Sequence, residues 1–148
     1  MPPDDNLGIP SRSYEEHANE EAMMDHNEKR ILLVEDDQDI RYLLCDLLTQ
    51  EGYKVYEARN GSEALQAMNK RHYDVVLSDY HMPQMDGLTF LRMSQTVWPE
   101  TPVILTSSDP NLMEQATQKG RGAYACLPKP FDLDRLLQVL HDAVHVRA

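Results

Sequence analysis

The sequence predicts an α/β fold in which a doubly wound parallel sheet is covered by helices on both faces. From Ile31 onward, short apolar runs alternate with segments of helical periodicity, and there are five of each. The first run, ILLV at residues 31–34, is continuously apolar, which is typical of a strand buried on both faces. Strands that alternate with helices form βα units with right-handed crossovers, and therefore a parallel sheet.

The remaining elements follow from periodicity and from stop signals. The first helix is predicted from apolar residues three or four positions apart, namely Ile40, Leu43, Leu44, Leu47 and Leu48, and Gly52 ends it. Further strands are expected at residues 54–58, 75–77, 103–106 and 123–127. Further helices are expected at residues 62–68, 88–97 and 111–119 and from residue 132 onward.

Composition limits the class of protein. The 148 residues are 41% hydrophobic, yet no apolar run approaches the roughly 18 residues of a membrane span. The N-terminus does not resemble a signal peptide, so we expect a cytoplasmic protein without a membrane partner. Cys45 and Cys126 are far apart and form no CxxC pair, so reduced thiols are expected. The net charge of −11 argues against direct nucleic-acid binding.

The N-terminal segment differs from the rest. Residues 1–30 hold eight acidic side chains against Arg12, Lys29 and Arg30, and few large apolar ones. Such a composition cannot bury enough apolar surface to fold. We therefore predict a disordered acidic tail at residues 1–28 and one domain at residues 29–148, with a short helix over residues 15–29 as the alternative for the tail.

Polar side chains follow four of the predicted strands. They are Glu35, Asp36 and Asp37 after the first strand, Asp79 after the third, Thr106, Ser107 and Ser108 after the fourth, and Lys129 after the fifth. In open parallel sheets, functional groups gather outside the carboxyl ends of the strands. The sequence therefore predicts one site that combines carboxylates, hydroxyls and a lysine.

These groups suit phosphoryl transfer to a carboxylate. Crowded carboxylates repel one another, and Mg²⁺ relieves that repulsion by accepting oxygen ligands. An aspartate can act as a nucleophile and form an acyl phosphate, while a lysine and a hydroxyl bind the phosphoryl oxygens. We interpret Asp79 as a phosphorylation site; the alternative is an aspartate that caps a strand in a turn.

Three motifs resemble the signatures of response-regulator receiver domains from two-component signalling, including chemotaxis regulators. They are VEDD at residues 34–37, LSDYHMPQMDG at residues 77–87 and LPKPFD at residues 127–132. The resemblance covers about residues 29–146. It implies a flavodoxin-like fold with strand order 2-1-3-4-5. It also implies that a histidine kinase or a histidine phosphotransfer protein donates the phosphoryl group.

The resemblance assigns roles to individual residues. Asp79 is the phosphoacceptor, and Mg²⁺ or Mn²⁺ is held by Glu35, Asp36, Asp79 and the backbone carbonyl of His81. Asp36 is expected to bind the metal directly, and Glu35 more often through water. Lys129 binds the phosphoryl group, and Pro130 after it suggests a cis peptide bond that aims the lysine.

Two positions of the resemblance need closer attention. The family places its hydroxyl 22 residues before the lysine, which selects Ser107 over Thr106; strand side chains alternate between faces, so only one of the two can point at the site. Three residues before the lysine many receivers carry an aromatic residue that moves between exposed and buried positions. Cys126 stands there in this chain, so we expect the switch to act through backbone movement of the loop at residues 107–111 and of the fourth helix.

The resemblance also implies what the domain does and what it binds. We expect no enzymatic activity beyond self-phosphorylation and self-dephosphorylation. We also expect a monomer or weak dimer, and a downstream protein target bound by the fourth helix, fifth strand and fifth helix.

The chain ends about where the fifth helix ends, so we expect either a stand-alone regulator or a receiver excised from a longer protein. One alternative is a phosphorylation-independent pseudo-receiver. Another is a magnesium-dependent phosphatase of the haloacid-dehalogenase type, which requires an aspartate where His81 stands.

Overall fold

The computed structural model describes residues 29–111 and 122–145. The predicted acidic tail, with its alternative helix at residues 15–29, lies outside the described residues. The predicted helix at residues 111–119 lies outside them as well, except for its first residue.

Five strands form one parallel sheet in the order β2-β1-β3-β4-β5. The strands are β1 Arg30–Val34, β2 Lys54–Ala58, β3 Val75–Asp79, β4 Val103–Ser107 and β5 Ala125–Pro128. The helices within the described residues are α1 Gln38–Gln50, α2 Gly61–Lys70, α3 Gly87–Val97 and α4 Leu133–Val144, the last being the helix predicted as the fifth. This order confirms the predicted flavodoxin-like topology.

Each helix begins at a residue whose side chain caps it. Asp37, Asn60, Asp86 and Asp132 all have extended backbones, and their side-chain oxygens accept hydrogen bonds from amides of the first turn. Those amides have no partner inside the helix, so a capping oxygen stabilises the first turn. The caps fix where the chain leaves each strand end and enters the following helix.

The sheet is buried on both faces. On one face, α1 and α4 pack against Ile31, Leu33 and Leu77. On the other face, α2 and α3 pack against Leu32 and Val76. Because neighbouring positions of a strand point to opposite faces, both must be apolar, which explains the continuous apolar runs in the sequence.

Two expectations from composition concern the whole domain. Cys45 and Cys126 are both free thiols, and they pack against the cores on opposite faces of the sheet. None of the helices within residues 29–111 and 122–145 is both long enough and apolar enough to cross a membrane.

Candidate functional site

Asp79 is the last residue of β3 and is only 6% exposed. In the sheet it is the register partner of Thr106 on β4, and the amide of Tyr80 donates to the Thr106 carbonyl at 2.8 Å. The ladder therefore continues one residue past Asp79 and fixes its backbone. Its Oδ1 atom is buried and has no hydrogen bond, which is uncommon for a buried carboxylate oxygen. That oxygen is available to a ligand or to a reacting group.

Two further carboxylates lie beside Asp79. Oxygen atoms of Glu35, Asp36 and Asp79 all lie within 4.8 Å of one another. Glu35 is buried, whereas Asp36 is exposed, so the cluster opens to solvent on one side. Within the described ranges this is the one group of three or more metal-binding side chains. Three hard oxygen donors at this spacing fit a divalent cation such as Mg²⁺.

Lys129 supplies the positive charge of the site. Its Nζ atom lies 3.2 Å from Asp79 Oδ1 and 3.6 Å from Glu35 Oε1. The Lys129 amide donates to the Ser107 carbonyl at 3.0 Å, which anchors the residue to the end of β4. The Lys129–Pro130 peptide bond is cis.

Burial dominates the electrostatics of Glu35. Loss of solvent raises the pKa of the Glu35 carboxyl above its ordinary value, and the charges of Asp79 and Asp36 raise it further. A hydrogen bond from the Asp37 amide and the charge of Lys129 lower the pKa, and the net shift is upward. Three carboxylates lie beside one lysine, and this excess of negative charge favours the binding of a cation.

The two candidate hydroxyls have different surroundings. The Ser107 hydroxyl accepts a hydrogen bond from the Asp109 amide at 2.9 Å and is 1% exposed. Thr106 is also buried, and as the register partner of Asp79 it lies on the same sheet face. Ser107 is the last residue of β4, where the strand ends in the loop above the sheet. The sheet register therefore favours Thr106 by the criterion of strand face, and Ser107 remains a prediction that rests on its spacing to Lys129.

His81 and Cys126 occupy the positions expected from the motifs. His81 follows β3 in the loop and is exposed, with its ring against Tyr80 at a centroid distance of 5.4 Å. Cys126 is half-buried on β5, and burial raises the pKa of its thiol to about 11. A thiol with that pKa stays protonated and unreactive at neutral pH.

Sequence reasoning missed the contribution of α1 to the site. The side chain of Arg41 is buried and its Nη1 atom donates to the Glu35 carbonyl at 2.8 Å. Asp37 lies in the acidic loop but caps α1, accepting from the Asp39 and Ile40 amides. The signal for Arg41 was its position: it shares the buried stripe of α1 with Leu44 and Leu48.

An open apolar groove borders the site on the α1 side. Its volume is about 500 Å³, and it is lined by Ile40, Leu43, Leu44, Leu47, Ser108, Lys129, Pro130, Phe131 and Leu133. Leu43 is 68% exposed and Leu133 is 49% exposed, so a considerable apolar area faces solvent. Lys129 contributes both to this groove and to the carboxylate cluster.

Comparison with known proteins agrees with this geometry. Residues 31–141 match the family model described as the response regulator receiver domain. The chain is 36% identical over 125 residues to the transcriptional regulatory protein GlrR of Escherichia coli K12, which covers 84% of this chain and 28% of that protein. The chain therefore spans about a quarter of the length of such curated relatives.

Solved structures show the same architecture. The signal receiver domain of an HD domain-containing protein from Pseudomonas fluorescens Pf-5 is 37% identical, with a TM-score of 0.74 over 80% of this chain and 88% of that one. The response regulator TrrA of Thermotoga maritima, solved with Mg²⁺ and BeF, is 30% identical, with a TM-score of 0.69 over 78% of this chain and 98% of that one. Order of motifs, sheet topology and family match agree, and the chain belongs to the response-regulator receiver domains of two-component signalling.

Proposed function

We propose that Asp79 accepts a phosphoryl group from a phosphohistidine donor in a Mg²⁺-dependent reaction, and that the phosphorylated domain then acts through protein contacts. The observation that carries this proposal is the environment of the Oδ1 atom of Asp79. It is buried without a hydrogen bond, it lies beside two other carboxylates, and it is an ion-pair partner of Lys129. A carboxylate that served only as a structural cap would have its oxygens hydrogen-bonded.

Charge explains why a metal is needed. Glu35, Asp36 and Asp79 carry three negative charges against the single positive charge of Lys129. An incoming anionic phosphoryl group would be repelled by this excess. When bound, Mg²⁺ neutralises part of the charge on the carboxylates and on the phosphoryl oxygens. Glu35, Asp36, Asp79 and the backbone carbonyl of His81 would hold it, with Asp36 as the direct ligand from the acidic loop.

The transfer itself requires a nucleophile and two phosphoryl ligands. An oxygen of Asp79 attacks phosphorus and forms the acyl phosphate bond, while the P–N bond of the phosphohistidine breaks and its electrons return to the imidazole. Lys129, already 3.2 Å from Asp79 Oδ1, binds one phosphoryl oxygen. The Ser107 hydroxyl, which accepts from the Asp109 amide, can donate its own O–H to another phosphoryl oxygen.

The apolar groove supports a protein donor, namely a histidine kinase or a histidine phosphotransfer protein. Lys129 lines the groove, so a donor side chain that reaches Asp79 arrives next to Leu43 and Leu133. Apolar area of this kind is buried by contact with a protein surface. The target would bind the face that includes β5 and α4. The chain matches only 28% of the transcriptional regulator GlrR, so this likeness gives no reason to propose direct DNA contact by this domain.

Incubation with acetyl phosphate and Mg²⁺ tests the proposal without knowledge of the kinase. Intact-protein mass spectrometry should show one phosphoryl group, which is lost on treatment with hydroxylamine because an acyl phosphate reacts with it. Asp79→Asn should show no adduct. Asp46→Asn changes an exposed carboxylate of α1 by the same chemistry and should be phosphorylated normally.

Three kinds of result would contradict the proposal. A phosphoryl group that survives hydroxylamine, or that persists in Asp79→Asn, would place the modification on another residue. No adduct with acetyl phosphate or with any phosphohistidine donor would favour the pseudo-receiver. Steady release of phosphate from phosphate monoesters would favour the phosphatase.

A further inference from the structure

Arg41 is a buried charge whose role the family assignment does not explain. It lies in the second turn of α1 and is 7% exposed. It occupies the buried stripe that Leu44 and Leu48 continue, where an apolar side chain would be buried without the desolvation cost of a charge. A guanidinium in such a place must be compensated by specific contacts.

Two contacts compensate the charge. Arg41 Nε lies 3.0 Å from Glu57 Oε1 on β2, and Arg41 Nη1 donates to the backbone carbonyl of Glu35 at 2.8 Å. The first contact neutralises the guanidinium. The second is a charge-assisted hydrogen bond to the peptide that joins Glu35 to Asp36, both of which belong to the carboxylate cluster.

The Glu35 carbonyl needs this donor because the sheet ends beside it. The Glu35 amide still pairs with the Ala58 carbonyl of β2 at 3.0 Å, but β2 ends at Ala58. The Glu35 carbonyl is buried and would lack a partner without Arg41, whereas buried carbonyl groups are almost always hydrogen-bonded. Arg41 therefore takes the place of the missing strand.

We propose that Arg41 is a positioning residue for the metal-binding carboxylates: it fixes the Glu35–Asp36 peptide so that both side chains face Asp79. This inference rests on the proposed function. The Glu35 carboxylate is restrained separately, since its Oε2 accepts from the Asp37 amide at 3.2 Å and leaves Oε1 towards Lys129. Asp36 is exposed, and among the described contacts no hydrogen bond of its own carboxylate is found, so its direction depends on the peptide.

Charge and position predict opposite effects on Mg²⁺ binding. If Arg41 acted only through its positive charge, its removal would strengthen the binding of a cation to the nearby carboxylates. If Arg41 positions the carboxylates, its removal weakens the binding in spite of that charge effect. The direction of the change therefore separates the two roles.

The experiment measures the dissociation constant of Mg²⁺ for the full chain by isothermal titration calorimetry at pH 8, with NMR titration of the backbone amides as a second readout. Arg41→Met keeps an unbranched side chain that replaces the aliphatic part of Arg41, and it removes both donors. We expect the dissociation constant to rise by about 10- to 100-fold, the usual effect of losing a group that orients metal ligands. The rate of phosphorylation by acetyl phosphate should recover at saturating Mg²⁺.

Two matched variants separate positioning from stability. Arg41→Lys keeps the charge but has a single ammonium group, which cannot reproduce both contacts, and should give an intermediate constant. Glu57→Gln removes the charge partner of Arg41 but leaves the contact to Glu35, and should change the constant by less than about threefold while lowering the urea midpoint. If Arg41→Met does not fold, the comparison of Arg41→Lys with Glu57→Gln decides.

The outcomes are distinguishable. Unchanged or tighter Mg²⁺ binding in a folded Arg41 variant overturns the inference and leaves the proposed function standing. Equal weakening in Glu57→Gln and Arg41→Lys also overturns it, because the effect would then follow stability. Absence of Mg²⁺ binding by the unmodified protein overturns the proposed function and the inference with it.

Discussion

Neutralising Asp36 should stabilise the protein when no metal is bound. The substitution Asp36→Asn keeps the shape of the side chain and removes one of three negative charges whose oxygens lie within 4.8 Å of one another. Asp37, not Asp36, caps α1, so the helix start is unaffected. The change therefore isolates like-charge repulsion in the site.

The magnitude follows from the distances. Two unit charges no more than 4.8 Å apart repel by about 1 kcal/mol in water and by about 3.5 kcal/mol at an effective dielectric constant of about 20. Asp36 is exposed, so the lower value applies to its repulsion from Glu35 and from Asp79. Attraction to Lys129 offsets part of the sum, and a net gain of about 1 kcal/mol remains. In a chain of this size that gain raises Tm by about 4 °C.

Thermal unfolding followed by circular dichroism in EDTA at pH 8 and low salt measures this gain. Asp46→Asn is the control, because it changes the net charge equally on the exposed surface of α1. Added salt should shrink the difference between Asp36→Asn and the unmodified protein, since exposed charges are screened. Mg²⁺ at 100 times its dissociation constant should stabilise the unmodified protein by about 2.7 kcal/mol, and the variant by much less.

Either of two results would refute this reasoning. A lower Tm of Asp36→Asn in EDTA, with the Tm of Asp46→Asn unchanged, would mean that Asp36 makes a favourable contact in the metal-free site. Alternatively, equal stabilisation of both proteins by Mg²⁺ would show that Asp36 does not bind the metal.

Two further predictions concern the loops around Asp79. Gly87→Ala should lower the urea midpoint by an amount equivalent to about 1–3 kcal/mol, because the added Cβ would lie 2.7 Å from the backbone Cα of Tyr80; an unchanged midpoint would show that this loop can move. Ser107→Ala should reduce the amide NMR shifts that beryllofluoride with Mg²⁺ causes in α4 and in the loop after β4, whereas Thr106→Val should leave them intact. The reverse pattern would assign the phosphoryl hydroxyl to Thr106.

The sequence by itself determined the fold and the composition of the site edge. A strand covered on both faces must be apolar at every position, so runs such as residues 31–34 are visible without the structure, and their alternation with amphipathic segments implies a parallel sheet. The parallel arrangement in turn places all strand ends at one edge. Asp79 and Lys129 could therefore be grouped although 50 positions separate them in the sequence.

Element ends were predicted less accurately for a local reason. β3 and β4 extend to Asp79 and Ser107, two residues and one residue beyond the predicted ends, because backbone pairing with neighbouring strands continues past the apolar run. Hydrophobic pattern reports which side chains are buried. It does not report how far the hydrogen-bonded ladder extends.

Only the tertiary structure decided how the site is oriented. Arg41 contacts Glu57 and the Glu35 carbonyl, and the groove lies between α1 and Phe131. These features bring together segments that are distant in the sequence, or they depend on the direction of side chains. The pattern of α1 marks Arg41 only as a charged residue on a buried stripe, and cannot name its partners. The lack of a hydrogen bond at Asp79 Oδ1 is of the same kind, because it can be recognised only after every neighbouring donor, including the Lys129 ammonium 3.2 Å away, has been placed.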